Sequence, residues 1–173
     1  MPERVTEHNL LSKALREVST GMYVVTAHKP ADQRPFEASE AMAAGLVCWA
    51  VQISFEPPLL MVALQKDSNL ERTVSQSGYF ALNVLAKGQY NDLPDFAKDS
   101  HFTHDHINGH PYRLGTHSGC PVLDNALAYL ECRVQESKQP GDHVLFMGEV
   151  LHGEPRREEP PLMEWETEYR YGG

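Results

Sequence analysis

A short polar segment in the middle of the chain has the residue types that bind phosphate. Residues 65–69 read Gln-Lys-Asp-Ser-Asn and lead into a helical pattern that starts with Ser68-x-x-Glu71, a capping box. A helix N-terminus presents unpaired N–H groups and partial positive charge, and Lys66 adds a full charge while Ser68 and Asn69 add donors. The segment predicts a phosphate site, although a Ser68 that only caps its own helix, beside a solvated Lys66, explains the pattern as well.

A histidine follows a turn later in the chain. Residues 140–142 read Pro-Gly-Asp, a composition typical of turns, and His143 opens the apolar run that comes next. Histidine exchanges or shares a proton more readily than other side chains near neutral pH. His143 is therefore a candidate for chemistry on a bound ligand, and the alternative is an ordinary surface histidine in a turn.

Four histidines lie within the ten residues HFTHDHINGH, at positions 101–110. Imidazoles at this density can ligate Zn²⁺ or Ni²⁺, and Asp105 between His104 and His106 adds a carboxylate. Metal ligands usually lie on fixed elements with supporting hydrogen bonds, whereas this stretch has the composition of a loop. A metal-binding protein that uses the His101–His110 cluster is an alternative to a solvated loop.

The segment GLVCWAVQISFEPPLL, residues 45–60, couples an apolar run to a loop with two prolines. The run predicts one strand, 45–53, buried on both faces. Its loop would form a rigid rim with free backbone amides, suited to the polar edge of a flat ligand. An ordinary core strand followed by a turn is the alternative.

The elements that position these segments are mostly strands. Apolar runs predict six of them, at residues 22–27, 45–53, 59–64, 79–85, 126–136 and 143–151. Helical spacing and capping predict three helices, at residues 8–18, 68–77 and 90–98. Many strands with few helices in a chain of domain size indicate a barrel or a sandwich.

Composition excludes several classes of protein. The 173 residues fit one domain, and 41% hydrophobic with 23% charged residues is an ordinary globular composition. The formal charge of −9 disfavours nucleic acid and anionic membranes as partners. No apolar run reaches the about 18 residues of a membrane span, and no GxGxxG motif or P-loop is present. Three widely spaced cysteines and no apolar leader predict a cytoplasmic protein without disulfides.

Taken in order, five motifs resemble the flavin reductase-like, FMN-binding split-barrel family. They are LREVSTGMYVVTA (15–27), GLVCWAVQISFEPPLLMVALQKDSNLE (45–71), SGYFALNVLA (77–86), GCPVLDNALAYLECRV (119–134) and PGDHVLFMGEVLHGE (140–154). The resemblance covers residues 10–154 with spacing close to that of the family. It implies a mainly β fold, a six-stranded antiparallel split barrel with peripheral helices, and a homodimer with FMN or FAD near the subunit interface.

The resemblance also places candidate site residues on this chain. Nine positions fall where the family contacts flavin: along the ring and ribityl chain at Val47, Cys48, Trp49, Val51 and Gln52, in the loop before the paired prolines at Ser54, and at the phosphate at Lys66, Ser68 and Asn69. His143 falls where the family has a histidine near the nicotinamide. The implied activity is hydride transfer from NAD(P)H to flavin, with reduced flavin or electrons passed to a monooxygenase or an electron-transfer protein.

Departures from the family pattern keep another hypothesis open. Leu46, Cys48, Val51 and Leu70 lack a hydroxyl or amide that many members have at these positions. A lost hydrogen bond to a charged group weakens binding by about 1.5–3 kcal/mol. A flavin-binding electron-transfer protein without NAD(P)H reductase activity is the corresponding alternative.

The C-terminal tail, residues 155–173, is rich in proline and charge but includes Trp165, Tyr169 and Tyr171. Aromatic rings gain by burial, so the tail is expected to pack on the body or on a partner subunit. We therefore expect a single domain over residues 1–173, with its core at 10–154.

Overall fold

This computed structural model describes residues 7–34 and 38–173. Within these residues it has ten strands and four α-helices. The strands are β1 (Tyr23–His28), β2 (Met42–Val47), β3 (Ala50–Ser54), β4 (Leu59–Gln65), β5 (Tyr79–Val84), β6 (His106–Ile107), β7 (His110–Leu114), β8 (Pro121–Leu123), β9 (Ala128–Lys138) and β10 (His143–Pro155). The helices are α1 (Glu7–Leu15), α2 (Ala38–Ala41), α3 (Asn69–Ser77) and α4 (Leu93–Ala97). None of the helices described is long and apolar enough to cross a membrane.

Strands β2 and β3 follow each other in the chain but lie at opposite edges of the large sheet. Its seven strands are antiparallel throughout, in the order β2-β1-β5-β9-β10-β4-β3. A flat sheet of this size is about 29 Å wide, whereas the two linking residues, Cys48 and Trp49, reach only about 10 Å. The sheet must therefore curl until its edges meet. The fold is a mainly β barrel with peripheral helices, as predicted.

The prediction of one strand over residues 45–53 is wrong. The chain leaves β2 after Val47 and starts β3 at Ala50, so the large sheet has seven strands rather than six. The side chains of Val51 and Ile53 are exposed, which contradicts burial on both faces. A continuous apolar run has no periodicity, so it gives no sign that the chain passes from one edge of the sheet to the other within the run. The split is dictated by barrel closure, which is a property of the whole sheet.

A second, three-stranded sheet lies where the sequence suggested a histidine-rich loop. Strands β6, β7 and β8 form it, and β6 and β7 are joined by the two-residue turn Asn108-Gly109. Both turn residues have positive φ, 48° and 90°, as an Asn-Gly hairpin turn requires. The loop prediction for 101–110 is therefore wrong, and the dipeptide Asn-Gly was the local signal for the hairpin.

The other predicted elements are confirmed with small shifts of their ends. The five remaining predicted strands match β1, β4, β5, β9 and β10, and the N-terminal helix matches α1. Helix α3 begins after Ser68, whose hydroxyl oxygen accepts the Glu71 N–H at 3.1 Å. The helix predicted at 90–98 is a 3₁₀ turn over Lys87–Asp92 that runs into α4.

Two clusters of buried side chains hold the barrel and its cover together. The first fills the barrel around Val25, Val62, Phe80 and Phe146, none of which is more than 1% exposed. The second packs α4 and the small sheet on the outside of β1 and β2, and it includes Leu162 of the tail. Bridges from Gly21 to Met163 and from Ala86 to Pro161 fix this part of the tail on the same chain.

A glycine in the middle of β10 marks the tightest contact of the barrel core. A Cβ on Gly148 would lie 2.8 Å from Cε1 of Phe80 and 3.0 Å from Cβ of Cys132. We expect Gly148→Ala to lower the free energy of unfolding by about 1–3 kcal/mol, as overpacking does. Gly141→Ala is the matched control, because nothing lies within 4 Å of its added Cβ. Urea denaturation measures both, and equal stability of the two variants would contradict the packing described.

Candidate functional site

A cleft of about 500 Å³ opens between the β2 edge of the barrel, the end of β4, and helices α3 and α4. This volume is in the range of small-molecule and cofactor sites. One wall is β2 and another is the segment after α4, which Ser100 ties to β2 through a hydrogen bond to the Ala44 carbonyl at 2.9 Å. Tyr171 of the tail also lines the cleft.

The N-terminus of α3 forms one end of the cleft, where Ser68 and Asn69 line it. Ser68 Oγ accepts from Glu71, and the Glu71 carboxylate accepts the Asp67 N–H at 3.2 Å. The N–H groups of Asn69 and Leu70 have no acceptor within the helix, as in any first turn. Helix α3 therefore offers two backbone donors and a partial positive charge to an anion in the cleft.

Leu70 contributes its backbone rather than its side chain to this end of the cleft. Its side chain is 8% exposed and belongs to the barrel core. A Cβ on Gly45 of β2 would lie 3.3 Å from Leu70 Cδ2, so Gly45 lets β2 pass close to the helix. The hydroxyl absent at position 70 is thus replaced by an apolar contact between α3 and β2.

Cys48 lies in the cleft wall as a buried, neutral thiol. The residue is 5% exposed, and its Sγ lies 3.6 Å from the sulfur of Met22. Burial raises the pKa of the Cys48 thiol to about 12, and the nearby Glu164 acts in the same direction. The reactive thiolate is therefore absent at neutral pH, and Cys48 acts as an apolar wall rather than a nucleophile.

The structure gathers only part of the candidate set at the cleft. Val47, Cys48, Ser68 and Asn69 line it. Lys66 is exposed just before α3, and its backbone N–H donates to the Asp142 carbonyl at 3.1 Å. The remaining strand and loop positions are not among the residues that line it: Trp49, Val51, Gln52 and Ser54.

His143 is held by a hydrogen-bonded chain at the rim. Its Nδ1 lies 2.7 Å from Asp142 Oδ1, and its Nε2 lies 2.7 Å from the Tyr171 hydroxyl. The Trp49 ring packs against both, with centroids 4.7 Å from His143 and 5.0 Å from Tyr171. Because Tyr171 lines the cleft and His143 pairs with Gln65, another lining residue, this cluster connects the turn at residue 142 with the cleft.

Tyr171 is the site residue that the sequence reasoning missed. The aromatic content of the tail predicted that the ring would be covered, but no local pattern linked it to His143. Burial raises the pKa of Tyr171, and the nearby charge of Asp142 adds to the effect. The phenol is therefore protonated at neutral pH, and its hydroxyl lies within hydrogen-bond distance of His143 Nε2.

The hydrogen bond from His143 holds the pKa of the Asp142 carboxyl below its usual range, and the attraction to His143 adds to it. Because the pKa of Asp142 is lower in the folded state, the stabilisation from this contact is fully present above the ordinary carboxyl pKa. It is lost as the pH falls through the lowered pKa. In His143→Phe we expect the Asp142 pKa to rise towards the ordinary value of an aspartate. A ¹³C NMR titration measures it, and an unchanged value would contradict the contact.

The histidines of residues 101–110 diverge in the structure. His106 pairs with Asp105 at 2.7 Å, and His110 pairs with Asp95 at 3.0 Å and packs against the Phe96 ring. Within residues 7–34 and 38–173, no group of three potential metal ligands includes any of them. The hairpin turn separates the side chains that the sequence brings close, so a metal site built from this cluster has no support in the geometry.

The fold and the cleft define a small antiparallel β-barrel protein with a nucleotide-sized site at a helix N-terminus. The sequence profile of the flavin reductase like domain matches residues 15–173. The chain belongs to this flavin reductase-like family, and it is a flavin-dependent oxidoreductase.

Individual relatives agree with this assignment. The chain is 35% identical to a flavin reductase (NADH) of Kitasatospora aureofaciens, over 87% of this chain and 74% of that protein. It is 34% identical to diflavin flavoprotein A 1 of Synechocystis sp., over 83% of this chain but 23% of that protein. The solved structure of the styrene monooxygenase flavin reductase from Pseudomonas putida S12 has a TM-score of 0.67 at 26% identity, covering 90% of this chain and 91% of that chain.

Proposed function

We propose that the protein binds FMN in the cleft and reduces it with hydride from NAD(P)H. The observation that carries the proposal is the cleft itself, which ends at the α3 N-terminus on one side and meets the His143–Tyr171 pair on the other. The volume of about 500 Å³ suits a mononucleotide, so FMN is the expected cofactor and FAD the alternative.

The residues present fit a flavin nucleotide. The free N–H groups of Asn69 and Leu70, with the Ser68 end of α3 and the nearby Lys66, would hold its phosphate. Val47 and the neutral thiol of Cys48 give an apolar wall that excludes water from one face of a flat ring. The flavin, when bound, supplies the hydride-accepting chemistry, and the protein supplies binding and orientation.

His143 would orient the nicotinamide at the open rim and balance negative charge there. Its Nε2 is the proton-exchanging atom, and Asp142 fixes the ring through Nδ1. Trp49 limits the movement of both His143 and Tyr171 through ring contacts. A nicotinamide that contacts Nε2 must displace the Tyr171 hydroxyl, which makes the tail a part of substrate entry.

In a homodimer, the candidate residues on β3 would be able to contribute to a flavin site at the subunit interface. Val51 and Ile53 are exposed on the edge strand β3, which lies outside the cleft of its own chain, and Phe55 in the turn after it is 89% exposed. The apolar face of α1 is exposed as well, at Leu10, Leu11 and Leu15. Light scattering should give twice the 19.5 kDa chain mass, and a monomer that binds flavin fully would contradict this part of the proposal.

Fluorescence titration with FMN and FAD, followed by turnover with NADH and NADPH, tests the proposed activity. We expect quenching of flavin fluorescence, tighter for FMN, and flavin-dependent oxidation of at least one nicotinamide nucleotide. The protein would pass reduced flavin or electrons to a partner, a monooxygenase or an electron-transfer protein. Three buried free cysteines fit a reducing, cytoplasmic location.

Lys66 tests the phosphate end of the cleft. We expect Lys66→Gln to weaken FMN binding about tenfold at low salt, because a hydrogen bond to a charged group is worth about 1.5 kcal/mol or more. Riboflavin, which lacks the phosphate, should bind both proteins equally. Lys138→Gln at an exposed strand end is the matched control. Equal loss of affinity for riboflavin and FMN would show that Lys66 acts other than through the phosphate.

One observation favours a second candidate, an electron-transfer flavoprotein that does not react with NAD(P)H. The Tyr171 hydroxyl already occupies Nε2 of His143, where a nicotinamide would otherwise approach. Such a protein would bind FMN in the titration but oxidise neither NADH nor NADPH, and its flavin would be reduced only by a protein donor.

A further inference from the structure

Three potential metal ligands converge beside the β7–β8 loop, and none of them lines the cleft. They are His117, Glu131 and His152, and one ligand atom of each lies within 4.8 Å of the others. His152 lies nine residues beyond His143 on β10, about 30 Å along an extended strand. The group is therefore far from His143 along the strand.

The sheet fixes two of the three side chains. Glu131 on β9 and His152 on β10 are direct partners in the strand register, so they share a face of the sheet. The register shifts between Val150 and His152, where β10 has a bulge. Bulges re-aim side chains, and this one sets His152 opposite Glu131.

The third ligand comes from the loop between β7 and β8, which folds over the sheet. Hydrogen bonds from Gly115 N–H to the Cys120 carbonyl, 2.8 Å, and from Gly119 N–H to the Gly115 carbonyl, 2.9 Å, close this loop. It places His117 Nδ1 3.4 Å from Glu131 Oε2. A Cβ on Gly115 would overlap Glu131 Oε1, so only glycine leaves room for the carboxylate.

Glu131 is oriented as a supported ligand would be. Its side chain is 1% exposed, and its Oε1 accepts the His117 N–H at 3.1 Å and both the N–H and the hydroxyl of Ser118 at 2.8 Å. These three donors hold one oxygen and leave Oε2 directed at His117 Nδ1. Hydrogen bonds of this kind behind a ligand typically orient it for a metal.

The two imidazoles are stacked beside this oxygen, with ring centroids 4.6 Å apart and planes 18° apart. Two protonated rings would repel each other at this distance, whereas two neutral rings can share one cation. Tetrahedral Zn²⁺ with bonds of about 2.0 Å separates its ligands by about 3.3 Å, close to the contact between His117 and Glu131. The guanidinium groups of Arg113 and Arg156 lie over the Tyr129 ring.

We propose that His117, Glu131 and His152 form a Zn²⁺ site that clamps the β7–β8 loop to the barrel. Two histidines and one carboxylate are a common three-ligand set for Zn²⁺, with water or the neighbouring Glu154 as the fourth ligand. Glu154 is already close, because its Oε1 lies 3.3 Å from His152 Nε2. Because none of the three ligands lines the cleft, the site is structural rather than part of hydride transfer.

Isothermal titration of tag-free, chelator-treated protein with ZnCl₂ tests the site, with thermal unfolding and Co²⁺ absorption as further measurements. We expect about one Zn²⁺ per chain, a higher melting temperature with Zn²⁺, and the intense visible bands of tetrahedral Co²⁺. His117→Ala and His152→Ala should each weaken Zn²⁺ binding at least tenfold while leaving FMN affinity within twofold, which shows that the variants are folded.

The matched control is the double variant His104→Ala/His106→Ala, which removes two histidines from the exposed hairpin and should bind Zn²⁺ like the unchanged protein. Three results would each overturn the proposal. They are no saturable Zn²⁺ binding, binding that both His117→Ala and His152→Ala retain in full, and binding that is lost only in the hairpin variant.

Discussion

Replacing His143 by alanine should lower kcat/KM for NAD(P)H about 30-fold while changing FMN affinity less than threefold. The variant removes Nε2, which lies 2.7 Å from the Tyr171 hydroxyl, and leaves Asp142 without its partner. A lost interaction of about 2 kcal/mol corresponds to about this factor in rate. The end of the cleft that would bind the flavin phosphate does not include His143, so the affinity for FMN should be nearly unchanged. Steady-state kinetics with a saturating flavin measures the effect.

Two further variants give this prediction its controls. Tyr171→Phe keeps the ring against Trp49 but removes the hydroxyl, and we expect a change of less than about fivefold, since one neutral hydrogen bond contributes about 1 kcal/mol. His104→Ala, on the exposed hairpin, should be indistinguishable from the unchanged protein. A His143→Ala enzyme within threefold of the original kcat/KM would exclude His143 from the reaction.

Glu131 is expected to give the largest loss of stability. Glu131→Ala should reduce the free energy of unfolding by about 3 kcal/mol or more, because three donors from His117 and Ser118 then have no acceptor in a buried site. Burial raises the pKa of this carboxyl, but the donors of Ser118 and His117 outweigh burial and hold the pKa below its ordinary value. The charged form is thus the one that the loop binds.

Comparing Glu131→Gln with Glu131→Ala separates the effect of the carboxylate charge from the effect of its hydrogen-bond acceptor. Glu131→Gln retains one carbonyl oxygen, so we expect it to lose about half as much stability as Glu131→Ala. Glu136→Ala, on the exposed end of β9, is the control and should change stability by no more than about 0.5 kcal/mol. Urea denaturation in EDTA keeps bound metal out of the comparison. If Glu131→Ala were within 1 kcal/mol of the unchanged protein, the loop would not depend on this carboxylate.

Local signals predicted most of the elements. The capping box at Ser68 and the apolar runs of β1, β5 and β10 depend on neighbouring residues, so they can be read from a window of sequence. The Asn108-Gly109 dipeptide is also a local signal, for a hairpin turn. The break between β2 and β3 at Cys48 has no local signal, because it follows from the closure of a seven-stranded barrel.

For the same reason, only the part of the candidate site that depends on neighbouring residues could be predicted. Ser68 and Asn69 line the cleft because they begin a helix that the sequence marks clearly. Tyr171 reaches His143 across 28 positions, and only the folded tail brings them together. The group of His117, Glu131 and His152 depends on strand register and one bulge, neither of which an apolar pattern reveals.

Anaerobic stopped-flow mixing of FMN-loaded protein with NADH, and separately with NADPH, tests the proposed hydride transfer to flavin. We expect at least one of the two nucleotides to bleach the oxidised flavin absorbance in a single-turnover reaction, and His143→Ala to slow this phase. If neither nucleotide bleaches the flavin while FMN remains bound, the protein is not an NAD(P)H-dependent flavin reductase, and the electron-transfer alternative takes its place.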